Sequence, residues 1–168
     1  SSFDTRLASR HFRNQVALLE SEESAGHENR FQEFKSWAAP WLREMTLRDI
    51  SRNPDGDGHT FLDLYYSEPG RPTPKEIFWS GDGFQVWLQL LLQVFRLKDH
   101  SVLVLDEPDV FLHPDLQRRV VQLLDSVQAQ VITATHSAEL ISEAKPESVL
   151  WVDKTRRSAV RAPDGARL

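Results

Sequence analysis

The sequence predicts an α/β protein whose second half is organised around a parallel sheet, and three observations carry that expectation. Short, largely apolar runs recur at residues 101–106, 130–135 and 148–152. Between them lie segments with helical periodicity: Leu116, Val120, Leu123, Leu124 and Val127 share one face of the first. Strands that are apolar throughout, rather than alternating, are the kind buried on both faces, and helical crossovers are what parallel pairing requires.

Taken from the start, Phe12, Val16 and Leu19 recur at helical spacing over residues 8–23, and Phe31, Phe34 and Trp37 do so again after the Ala25-Gly26 break. This is a helical hairpin, closed at Pro40 and the Trp41-Leu42 pair. Residues 45–52 and 60–66 read as two strands around the turn-rich Asn53-Pro54-Asp55-Gly56-Asp57-Gly58. A polar loop over 68–75 follows. Residues 84–95 form a helix apolar almost all round, and a further helix over 137–143 stops before Pro146. The expected division is a helical lid or arm over 1–44 and a lobe carrying the chemistry over 45–168.

Composition narrows the function. At 168 residues with 40% hydrophobic content the chain can bury a core, and its formal charge of −5 argues against a sequence-independent coat for nucleic acid. With no Cys there is neither a disulfide framework nor thiolate chemistry. The longest apolar stretch, VWLQLLLQVF, is too short and too rich in Gln to span a bilayer, and the first residues lack the apolar core of a signal peptide. A cytoplasmic protein without membrane contact is expected.

The chemistry concentrates where the strands end. Ligands of open parallel sheets gather at the carboxyl ends of the strands. Asp106 and Glu107 stand at one such end, and Thr135, His136 and Ser137 at the next. A carboxylate there can hold Mg²⁺, a neighbouring one can deprotonate an attacking water, and an imidazole can reach a phosphate oxygen. Ahead of the apolar helix lies Ser80-Gly81-Asp82-Gly83-Phe84-Gln85, where glycines permit close backbone approach and the helix start offers amides to an anion.

These segments resemble parts of ABC-type ATPases. SVLVLDEPDVFLHPDLQ looks like a Walker B strand with its D-loop, ATATHSAELI like a switch-histidine segment, and WSGDGFQVWLQLLL like a signature helix. The Gly-x-Gly-x-Gln form and the LHP element resemble the overcoming-lysogenisation-defect (OLD) family and its relatives near RecF. The resemblance covers residues 78–153. It implies a P-loop NTPase lobe in which Asp106 assists Mg²⁺, Glu107 is the catalytic base and His136 senses the γ-phosphate. It also implies that Ser80, Gly81, Asp82 and Gly83 meet the ATP of the opposite protomer of a homodimer, and that Asp109 and His113 lie in the D-loop at the nucleotide. No Gly-x-x-x-x-Gly-Lys-[Ser/Thr] occurs in the 168 residues, so the phosphate loop belongs to a lobe outside them. The family likeness further implies control of a DNA-processing activity, such as a TOPRIM-type nuclease domain or partner, a repair machine or an anti-phage system.

Other readings of the same residues exist. A non-hydrolysing, SMC-like module for dimerisation or DNA clamping would keep the fold without the turnover. A metal nuclease using Asp106, Glu107 and Asp109 directly is awkward, because neighbours on an extended strand point to opposite faces. Asp55, Asp57 and Gly58 imitate part of a calcium loop, but Leu64 stands where the bidentate Glu belongs, and a hairpin turn is the simpler reading. Arg156, Arg157 and Arg161 form a basic terminal face that could meet DNA; solvation is the simpler role. For His113, helix entry ahead of Pro114 is simpler than metal ligation.

Overall fold

The computed structural model describes residues 5–22, 29–54 and 60–161. The chain forms two compact units, Ser1–Leu97 and Lys98–Leu168. The Ala25-Gly26 break and the turn at 55–58, with its calcium-like spacing, lie outside the described residues.

In the first unit, helices α1 (Thr5–Ser21), α2 (Arg30–Ala38) and α3 (Asp82–Leu97) share a core with the strands β1 (Thr46–Pro54), β2 (Thr60–Glu68) and β3 (Arg71–Glu76). Helix α2 starts where it does because the Asn29 side chain accepts from the Gln32 N–H at 2.9 Å, satisfying one of the amides a helix start leaves open. Its periodic aromatics then point inward. Phe31 and Phe34 are buried, and Phe34 meets Phe95 of α3 edge-on at 5.4 Å between ring centroids. Truncating a ring so enclosed costs about 3–5 kcal/mol. Helix α3 buries Trp87, Leu88, Leu91, Leu92 and Phe95, and the Trp87 indole donates to the Trp41 carbonyl at 3.3 Å.

The three strands form an antiparallel sheet in the order β1-β2-β3. The loop expected over residues 68–75 is instead a tight turn at Gly70, whose φ of 72° suits glycine, followed by β3. Pro72 and Pro74 argue against a central strand, and β3 is an edge, where the missing donors are tolerated. A salt bridge of 2.7 Å from Lys75 to Glu68 ties the turn's two arms.

In the second unit, β4 (Val102–Asp106) pairs in parallel with β5 (Gln130–Ala134), with Val102 opposite Gln130 and Asp106 opposite Ala134. Helix α4 (Pro114–Ser126) makes the crossover and buries Leu116, Val120, Leu123 and Leu124; α5 (Ala138–Glu143) buries Leu140. The apolar run at 148–152 does not extend this pair. It becomes β6 (Leu150–Asp153), which folds back antiparallel onto β7 (Ser158–Arg161). Asp153 explains the local choice: its carboxylate accepts from the Thr155 and Arg156 amides at 2.8 and 3.0 Å, and Arg157 takes a φ of 49°, closing a short turn. Trp151 and Val152 are exposed, so apolar composition here does not mean burial.

The short 3-10 turn Ile77–Trp79 connects β3 to α3, and Glu76 caps it by accepting from the Phe78 N–H at 2.9 Å. Burial raises the Glu76 carboxyl above its ordinary value of 4.5, while the Phe78 amide and the Arg13 guanidinium at 3.1 Å pull it down and Asp63 adds to the rise. The folded state then holds this proton more tightly than the unfolded state. The associated stability is fully present below pH 4.5 and is lost as pH climbs through the raised value. Glu76→Gln keeps the acceptor for Phe78 and removes that fall. Urea unfolding of both proteins at pH 4 and pH 7 should show the variant gaining on the parent at the higher pH; a variant that loses ground at pH 7 would show the ion pair with Arg13 outweighing burial.

Candidate active site

The parallel register ends at Asp106 and Ala134, and the chemistry begins one residue later. The Glu107 N–H donates to the Ala134 carbonyl at 2.8 Å, continuing the ladder, yet Glu107 itself has a φ of 48°. A left-handed conformation costs a non-glycine residue roughly 1–2 kcal/mol. Its effect is to break the alternation of the strand. The Glu107 carboxylate therefore leaves the sheet and comes within 3.5 Å of the His136 Nε2. Asp106, the last residue of β4, is exposed.

The contact between Glu107 and His136 cannot hold itself. The His136 ring is 94% exposed, and a contact so open to water contributes little by itself. The two side chains are held by their backbones instead. After Glu107 the chain turns twice, through the Val110 N–H to the Glu107 carbonyl at 3.3 Å and the Leu112 N–H to the Asp109 carbonyl at 3.0 Å, with Phe111 at a φ of 68°. That turn is bonded to the segment after β5. Thr135 Oγ1 donates to Asp109 Oδ1 at 2.5 Å and accepts from the Ser137 N–H at 2.9 Å. Ser137 Oγ donates to Gln117 Oε1 at 2.8 Å and accepts from the Leu140 N–H at 3.1 Å, which caps α5. Gln117 Nε2 donates to the Leu112 and Asp109 carbonyls at 2.9 and 3.4 Å.

The sequence points to Asp109 and His113 as neighbours of a nucleotide. Here Asp109 is engaged with Thr135, and His113 caps α4, its Nδ1 accepting from the Asp115 N–H at 3.4 Å. Gln117 is missed by sequence reasoning. Its only signal is a polar residue beside the apolar stripe of α4, next to Leu116.

The glycine turn ahead of α3 belongs to the first unit. Ser80 is buried, and its hydroxyl donates to the Ile77 carbonyl at 2.6 Å. Gln85 ties the turn to the helix by donating to the Ser80 and Phe78 carbonyls at 3.0 and 3.2 Å. Gly81 is exposed, and a Cβ placed there would meet nothing within 4 Å, so its own fold does not demand glycine. Asp82 occupies the first helical turn beside Gly83; its carboxylate suits the helix dipole and opposes a second anion at the same amides. Trp79 is 77% exposed and lies edge-on to Phe78 at 5.9 Å.

Among the described residues no group of three or more His, Cys, Asp or Glu side chains is arranged to enclose a metal ion. A ready-made nuclease centre from Asp106, Glu107 and Asp109 does not fit that arrangement. Mg²⁺ does not need such a cage, since it commonly takes one or two carboxylates and completes its shell with phosphate oxygens and water. The exposed carboxylate of Asp106 suits that mode. No helix among the described residues is long and apolar enough to cross a membrane.

Comparison with known proteins places these observations in a family. Residues 4–142 match the family described as "AAA domain, putative AbiEii toxin, Type IV TA system". A protein of Methanocaldococcus jannaschii, described as uncharacterized protein MJECL43, is 30% identical over 108 residues, or 58% of this chain. The chain spans 28% of the length of that relative. Among solved structures, an SMC ATPase from a study of ATP-driven dimerization and DNA-stimulated activation superimposes with a TM-score of 0.60 at 17% identity, covering 90% of this chain and 86% of the other. An Smc head bound to the C-terminal winged-helix domain of ScpA gives 0.50 at 19% identity, over 67% of this chain and 36% of that one. The fold is that of P-loop NTPase heads.

His113 offers a direct check on local roles. At 3.4 Å its ring is a weak cap, and Ser caps more effectively from the same extended backbone. His113→Ser should raise the free energy of thermal unfolding by about 0.5 kcal/mol. A loss of stability would mean that the imidazole does more in the fold than cap α4.

Proposed function

This chain belongs to the AAA-domain family that its residues 4–142 match, and from that premise we propose that it is the signature and switch lobe of an ATP-hydrolysing head. The observation that carries the proposal is the approach of Glu107 to His136 at 3.5 Å, beyond the carboxyl ends of two parallel strands. In this reading Glu107 takes a proton from water as the water oxygen bonds to the γ-phosphorus and the bond to the β-γ bridging oxygen breaks, releasing ADP. The His136 ring, turned to solvent, meets a γ-phosphate oxygen. Asp106 would hold Mg²⁺, directly or through water, and the ion would neutralise phosphate charge when bound.

Completion of the site requires two contributions from elsewhere. A phosphate loop from outside the 168 residues grips the β- and γ-phosphates, because no Gly-x-x-x-x-Gly-Lys-[Ser/Thr] is present. The turn at Ser80, Gly81, Asp82 and Gly83 meets the nucleotide of a second head, with Gly81 rather than the Asp82 carboxylate at the phosphates. The open space around Gly81 supports that role, since a glycine not needed by its own fold leaves room for close approach from outside. Ser80 supports it by holding the turn in shape: its hydroxyl and its N–H both donate to the Ile77 carbonyl, and its own carbonyl accepts from Gln85. Two heads would then enclose ATP as a homodimer.

The activity governed by the head is proposed to be DNA processing. The reading draws on the toxin–antitoxin description of the matched family and on the DNA-stimulated activation named for the SMC neighbour. A nuclease partner of the TOPRIM kind and a role in repair or phage defence are its specific forms, in the cytoplasm.

Glu107→Gln in the complete ATPase is the test. The amide keeps the shape and cannot accept the proton, so phosphate release should fall by about 100-fold or more while ATP affinity stays within about threefold. Full turnover by the variant would remove Glu107 from the chemistry, and no turnover by the parent under ATP-bound, dimeric conditions would favour the non-hydrolysing clamp.

A further inference from the structure

We infer that Thr135 and Gln117 are positioning residues that set the separation of Glu107 and His136 through a closed hydrogen-bond circuit; the inference rests on the ATPase reading above. The circuit runs from Asp109 to Thr135, along the backbone to Ser137, from Ser137 to Gln117, and from Gln117 back to the Asp109 carbonyl. It joins residues 26 and 20 positions apart in the chain. Glu107 lies two residues before Asp109, and His136 lies between Thr135 and Ser137. Fixing the circuit therefore fixes both backbones that carry the pair.

The circuit is directional. The single Thr135 hydroxyl proton goes to the Asp109 carboxylate, which leaves a lone pair facing the Ser137 amide. The Ser137 proton goes to Gln117 Oε1, and this orients the Gln117 amide so that its Nε2 meets the Leu112 and Asp109 carbonyls. Reversing any one bond would set donor against donor or acceptor against acceptor. Each participant is partly buried, so water does not simply replace a lost partner. Thr135 and Gln117 touch neither Glu107 nor His136 in any bond described, and the effect they exert is on geometry. A displacement of about 1 Å in a reacting pair can cost roughly 100-fold in rate.

Thr135→Val removes the hydroxyl at nearly constant volume, Thr135→Ser retains it, and Gln117→Met removes both ends of the Gln117 bridge while keeping a good helix former in α4. In the complete ATPase, Thr135→Val and Gln117→Met should each lower kcat about 10- to 100-fold with KM for ATP within about twofold, and Thr135→Ser should stay within about twofold of the parent. Combined with Glu107→Gln, Thr135→Val should cost little more, because the group it positions is already disabled. The proton resonance of the His136 ring between its two nitrogens supplies a readout that needs no turnover: it should move on Glu107→Gln and move again on Thr135→Val and Gln117→Met, but not on Thr135→Ser. An unmoved His136 resonance in Thr135→Val and Gln117→Met would overturn the positioning role even if Glu107 proves catalytic. Equal losses in Thr135→Ser and Thr135→Val would likewise overturn it, marking the position as a packing site. A full-rate Glu107→Gln enzyme in which His136 still responds to Thr135→Val would instead retain the positioning and remove Glu107 from the chemistry.

Discussion

The parallel pairing of β4 with β5, closed by the Glu107 amide on the Ala134 carbonyl, is the constraint on which the candidate site depends. It brings residues after position 106 beside residues after position 134, and nothing local in either segment could do so. The register is also specific. A slip of one residue would exchange the faces of Leu103 and Val104, burying one where the other is exposed. Helix α4 makes the crossover from one strand to the next and buries its apolar stripe as it does so. The left-handed residue Glu107 then turns its carboxylate out of the sheet toward His136, at a backbone cost.

Most of the architecture was legible because its signals are periodic. Helices α3 and α4 declare themselves by apolar spacing, and β4 and β5 by apolar runs that end in polar residues at comparable places. The edge strand β3 was not legible, since Pro72 and Pro74 read as loop until β3 is known to lie at a sheet edge. The partner of β6 was hidden for a different reason. Its run of apolar residues is the pattern of a buried strand, whereas Asp153 and the turn after it direct the chain back on itself.

The site divides along the same line. Glu107 and His136 could be singled out because each closes a strand and because the segments around them resemble ATPase motifs. Gln117 had no such mark, as hydrogen bonds between segments far apart leave no period in the sequence. Asp109 was visible as a residue and not as a partner of Thr135. Ser80 was visible as the serine of a glycine turn, while its burial and its bond to Ile77 are properties of the 3-10 turn that precedes it. Residue type marks where chemistry is available; only the fold says which polar atoms are already committed.

The division of labour between these residues and a phosphate loop elsewhere is the central claim, and calorimetry of ATP binding together with phosphate release tests it most directly. Both are measured on the 168-residue chain alone and after addition of the polypeptide that carries the loop, in cis or as a separate chain. The chain alone should bind ATP weakly and turn it over negligibly, because in the proposed reading Asp106, Glu107 and His136 would serve the metal and the reacting end rather than the grip on the nucleotide. Addition of the loop should bring both tight binding and turnover. Tight binding or steady hydrolysis by the 168 residues on their own would contradict the account.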